Sequence, residues 1–127
     1  MSQIFLTLGS LFAAIAVAAG AFASHALKDQ LSDRSLEIFE TASKYQMYHA
    51  LGIILVALLL SFIPSGNTWM VTAGWAFVAG ILLFSGSLYA LSVTGIKILG
   101  AITPLGGVAF LIGWGCLALS AWMKTAV

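Results

Sequence analysis

A chain of 127 residues with 61% hydrophobic and only 7% charged residues cannot cover a water-facing globule, because a soluble domain carries about a quarter charged residues. Its composition suits a bilayer as solvent. The formal net charge of +1 excludes a basic nucleic-acid surface, an acidic tail and a polybasic lipid-binding cluster.

The first apolar run covers residues 4–24 and holds no Asp, Glu, Lys or Arg. Its end, "AFAS" at Ala21–Ser24, imitates a signal-cleavage site. No basic residue precedes the run, and its length of about 20 residues suits a span, so a retained helix is expected. Gly9, Ala13, Ala16, Gly20 and Ser24 recur on one helical face, which lets a neighbouring backbone come close.

The connection 25–44 follows and holds every acidic residue and three of the five basic ones. Ser32 or Asp33 can cap a helix start. After it, Leu36 and Phe39 recur at helical spacing, and Glu40 and Lys44 are placed for an i,i+4 ion pair. The expectation is an amphipathic helix at the membrane surface, with Leu36 and Phe39 as its contact residues, running into the second span or standing apart as a solvated connector.

Three more charge-free runs follow at 45–63, 69–92 and about 100–123. Backbone groups in lipid must bond internally, and these runs are too long and too little alternating for barrel strands. They predict one integral domain over 1–127, an all-α compact bundle of four transmembrane helices joined antiparallel by short connections. "PSGNT" at Pro64–Thr68 reads as a tight polar turn. Ala76 with Gly80, and Ala109 with Gly113, repeat the small-residue spacing. Trp69, Trp75 and Trp122 fall toward the face of the termini, and Tyr45, Tyr48 and Tyr89 toward the opposite face, as two aromatic belts. Trp114 lies too deep for a belt and reads as interhelical packing. Lone Cys116, inside an apolar run, reads as packing. Lys28, Arg34, Lys44 and Lys97 lie on one side, against Lys124 and the amino terminus on the other, which predicts a cytoplasmic long connection and outer termini.

The polar side chains gather toward the loop-side face. His25 ends the first span, while Tyr45, Gln46, Tyr48 and His49 open the second. Ser85, Tyr89 and Ser92 share a face of the third, and Thr103 and Pro104 begin the fourth as cap and first helical residue. The bland reading of the two histidines is a hydrogen-bonded interfacial cluster, and the sharper ones are a metal or haem pair or a proton relay. No H-x-x-x-H, H-E-x-x-H, C-x-x-C or G-x-S-x-G spacing is present, so no catalytic residue, metal or cofactor is expected.

"GAFASHAL" (Gly20–Leu27), "YQMYHAL" (Tyr45–Leu51), "FSGSLY" (Phe84–Tyr89) and "ITPLGG" (Ile102–Gly107) stand in the order found in the domain-of-unknown-function 423 family, which this chain resembles over nearly its whole length. Ala23–Ser24 departs from the Gly–Ala common there. The resemblance implies a small four-span protein of the bacterial inner membrane and supplies no reaction. The leading functional expectation is therefore a non-enzymatic scaffold or accessory factor that binds lipid, another membrane protein or a second copy of itself. The alternative is a transporter or channel for a small ion or neutral solute, with Pro104, Gly106–Gly107 and the Ser85–Tyr89–Ser92 face lining its path.

Overall fold

The structure, a computed structural model, describes residues 1–63 and 65–123, so Pro64 of the predicted turn and Lys124 of the charge count lie outside it. Among the described residues, four helical rods of 26, 29, 27 and 27 residues are long and apolar enough to cross a membrane. At about 1.5 Å per residue each is about 40 Å long, enough to cross about 30 Å of hydrocarbon with both ends beyond it.

Local chemistry sets the ends. α1 runs Ser2–Phe22 and continues through a π-helical turn, Ala23–Leu27. α2, Asp33–Ser61, joins the amphipathic stretch and the second span in one helix. The Ser35 amide donates to Ser32 Oγ at 3.1 Å, so Ser32 is the cap. Asn67 caps α3, Thr68–Gly80, by accepting from the Met70 amide at 3.2 Å. A second π-helical turn, Ile81–Ser85, joins α3 to α4, Gly86–Thr94. Gly95 then stops the rod at φ 70°, a left-handed conformation that glycine reaches without strain. A 3₁₀ turn, Lys97–Ala101, leads into α5, Thr103–Met123.

Aromatic side chains set into glycine notches hold the rods level. Phe77, fully buried, packs over Gly52 of α2 and Gly113 of α5. Phe110 packs over Gly80, Phe5 over Gly74, and Phe84 lies against Gly106. These pairings match residues across the membrane: Phe5 lies level with Gly74, Gly9 with Ala50 and Ile54, and Thr103 with Ser87. α1 lies along α2 and reaches α3 through Phe5, whose ring meets Trp75 edge-on at 5.3 Å.

Three expectations change. Leu36 and Phe39 turn inward instead of contacting the membrane surface: Phe39 is buried with Ala23 and Leu27, and Leu36 packs against the same cluster. The reason is that the amphipathic stretch is not a separate surface helix but the continuation of span two, so its apolar side follows the bundle. The Glu40–Lys44 pair does not form. Arg34 instead reaches Glu37 at 3.6 Å, one turn closer to the helix start. The small-residue stripe of α1 packs at Gly9 and Ala16, but a Cβ at Gly20 would meet nothing within 4 Å and Ser24 is exposed.

Candidate functional site

Two features distinguish the loop-side half of the bundle: a band of hydrogen-bonded side chains in the interior, and an apolar groove on the outside.

The band centres on Gln46, 2% exposed on the inner face of α2. Its Nε2 donates to the Phe12 carbonyl of α1 at 2.8 Å, and its Oε1 accepts from the Tyr89 hydroxyl of α4 at 2.7 Å. One amide thus ties three helices and fixes its own orientation, nitrogen to carbonyl and oxygen to hydroxyl. Tyr89 is consequently an interior residue and not part of a belt; its ring meets Phe39 edge-on at 4.9 Å. Tyr45 and Tyr48 stay exposed, but Tyr48 adjoins His49 near the middle of α2 and Tyr45 is one turn away, so both lie too deep for a belt. Ser85, buried in the π-helical turn, donates across the bundle to the Ala42 carbonyl at 2.8 Å. Ser87 donates to the Phe84 carbonyl of its own helix at 3.0 Å and shares a 2.7 Å hydrogen bond with Thr103 Oγ1. Thr103 is thus the first residue of α5 and spends its hydroxyl between helices instead of capping; Pro104 is the second residue and exposed. Ser92 returns its hydroxyl to the Tyr89 carbonyl at 2.8 Å. Ser85, Tyr89 and Ser92 therefore pack into contacts and do not line a path, and Gly106 is closed against the Phe84 backbone.

The histidines separate. His49 lies level with Phe110, near mid-membrane, and stacks on that ring with centroids 3.4 Å apart. Its Nδ1 donates to the Tyr45 carbonyl at 2.7 Å, and its Nε2 accepts from Trp114 Nε1–H at 3.1 Å. A carbonyl partner on one nitrogen and an indole N–H on the other fix the neutral Nδ1–H tautomer and leave no lone pair for a metal. His25 is exposed on the π-helical turn of the first rod. By the pairing of Gly9 with Ala50 and Ile54 it lies level with Leu36, about 20 Å along the axis from His49. The expected pair at one face is not brought together, because His49 sits several turns deeper than the start of its span suggested. Among the described residues, no three His, Cys, Asp or Glu side chains cluster as metal ligands, and every buried side-chain nitrogen or oxygen has a partner.

Three partners escaped sequence reasoning: the Phe12 and Ala42 carbonyls, and Trp114 as a donor. Backbone acceptors carry no side-chain signature. Trp114 did carry one, since an indole buried too deep for a belt needs an acceptor.

The groove runs between α1 and α4 with α2 as its floor. It has a volume of about 520 Å³ and is lined by Ile15, Ala18, Ala19, Phe22, Phe39 and Tyr89. Its one polar group, the Tyr89 hydroxyl, is bonded to Gln46, so the surface offered is apolar.

A family model described as "Protein of unknown function (DUF423)" matches residues 19–107, a stretch that contains the band and the groove apart from Phe12, Ile15, Ala18 and Trp114. The chain belongs to this family. The UPF0382 membrane protein YwdK of Bacillus subtilis (strain 168) is 51% identical over 119 residues, covering 94% of this chain and 96% of the relative. A UPF0382 membrane protein of Staphylococcus epidermidis is 48% identical over 118 residues, covering 93% and 94%. One of Staphylococcus aureus (strain USA300) is 45% identical over 118 residues, with the same coverage. No solved structure matches. Like these relatives, this DUF423 chain is a membrane protein, with four membrane-length helices among its described residues. Chemically, its interior hydroxyls, amide and imidazole spend their hydrogen bonds inside the bundle, across to another helix or back onto their own, while the groove presents an apolar surface.

Proposed function

We propose that this protein is a non-enzymatic lipid-binding accessory factor of the bacterial inner membrane, with both termini outside and the 25–44 connection in the cytoplasm. The observation that carries the reading is the open groove between α1 and α4, whose mostly apolar lining and volume of about 520 Å³ leave room for one acyl chain. An acyl chain fits better than a polar solute, because the one polar side-chain group in the lining, the Tyr89 hydroxyl, has its proton committed to Gln46. Cysteine-shift labelling at Gln30 and at Ser65 assigns the orientation: reagent confined to the cytoplasm reaches the first and not the second.

Native mass spectrometry of the detergent-purified chain tests the binding. Ala18→Leu replaces a methyl by an isobutyl group on the groove wall without touching the band, and it lowers the number of lipids retained. Retention unaffected by Ala18→Leu and by Ala19→Leu refutes the groove reading.

A further inference from the structure

We propose that the outward face of α2 binds a phospholipid whose headgroup carries both a phosphate and an ammonium, with Lys44 taking the phosphate and Glu40 the ammonium.

The charge-free run of the third span ends at Ser92, and Ser85 is level with Ala42 through its hydrogen bond. Ala42 therefore lies about 10 Å inside that boundary, Lys44 about 13 Å and Glu40 about 7 Å. The other rods carry only apolar side chains outward at this depth. Val17 of α1 and Leu105 of α5, level with Lys44 by the pairings above, are both exposed. α2 alone interrupts the hydrocarbon surface with charge. Ionisable groups at such depth are costly and need a partner.

Within the chain, Lys44 and Glu40 have none: among the described residues the ion pair that forms is Arg34 with Glu37. The stripe is neutral in sum, so it does not select a simple anionic surface. Its order does select. Lys44 lies deeper and Glu40 one turn nearer the water. In a phospholipid the phosphate joins the glycerol, nearer the acyl chains, and a terminal ammonium lies beyond it. Positive-then-negative along α2 complements negative-then-positive along the headgroup. Both side chains lean toward the helix N-terminus, which here is the water side, and so snorkel toward the headgroup layer. Below Lys44 the same face continues as Tyr48, Leu51, Leu55 and Leu58, all exposed, against which acyl chains can lie. A headgroup of phosphate and glycerol would satisfy Lys44 and leave Glu40 facing it unpaired.

This face is turned about 140° around α2 from Phe39, the floor of the groove, so the two sites are separable. The test reconstitutes the full chain in vesicles of equal phosphatidylethanolamine and phosphatidylglycerol with identical acyl chains. Retained lipids are then counted and identified by native mass spectrometry. The wild type retains the ethanolamine lipid about threefold over the glycerol lipid, the scale of one exposed ion pair. Glu40→Gln brings the ratio to parity, Lys44→Gln lowers retention of both lipids, and Lys44→Arg restores it. Ala18→Leu lowers total retention without lowering the ratio, so failure of the groove is read apart from failure of this face. A wild-type ratio at parity or favouring the glycerol lipid overturns the proposal. So does a ratio unmoved by Glu40→Gln, or retention unmoved by Lys44→Gln, in variants whose helical circular dichroism matches the wild type.

Discussion

Gly106 is where a single methyl group should do the most damage. A Cβ there would overlap the backbone nitrogen and Cα of Phe84, inside the π-helical turn, and a backbone cannot swing aside as a side chain can. α5 must move off the third rod, at a cost of about 2 kcal/mol for an overpacked contact. The Ser87–Thr103 hydrogen bond, 2.7 Å long and three residues away, stretches with that movement, adding up to about 1 kcal/mol. Gly107 is the internal control. A Cβ there comes no closer than 4.0 Å, to the Phe84 ring, so Gly107→Ala should be neutral or gain up to about 1 kcal/mol in helix propensity. Reversible unfolding in mixed micelles, titrated with SDS, measures both. Equal stability of Gly106→Ala and wild type, or equal loss in the two variants, would refute the assigned contact between α5 and the π-helical turn.

A double-mutant cycle of His49→Phe and Trp114→Phe should give a coupling of about 0.6–1.7 kcal/mol, the range for interhelical hydrogen bonds in membranes, and zero coupling would remove the bond. Gln46→Leu should destabilise more than Tyr89→Phe, by SDS titration, because it also strands the link to the Phe12 carbonyl. Liposomes containing the protein should show no flux of protons, common cations or small neutral metabolites above empty vesicles, and robust flux would restore the transporter reading.

The four spans were legible because twenty apolar residues without a charge have few alternatives in lipid. The Ser32 cap was legible too, as was the interhelical role of Trp114, because each follows from local chemistry. Which way a side chain faces was much less so. In water, an apolar stripe marks the buried side, but in a bilayer the lipid-facing side is equally apolar. Leu51 is exposed and Ile53 buried on the same helix, and hydropathy does not tell them apart. The same ambiguity hid the inward turn of Phe39 and the entry of Tyr89 into the interior band. His49 was misplaced in depth because the charge-free run of α2 starts at Tyr45, whereas the helix itself starts at Asp33. The pairing of Glu40 with Lys44 failed for a related reason, since i,i+4 spacing permits an ion pair without requiring it.

The claim that this protein holds lipid laterally, with its polar interior closed, is tested most directly by a structure determined in a lipid nanodisc. Elongated acyl density is expected between α1 and α4, against Ala18, Ala19, Phe22 and Phe39, with the Gln46–Tyr89 bond intact. A groove filled by a rearranged α1, or a water-filled passage opened between Ser85, Tyr89 and Gly106, would contradict it.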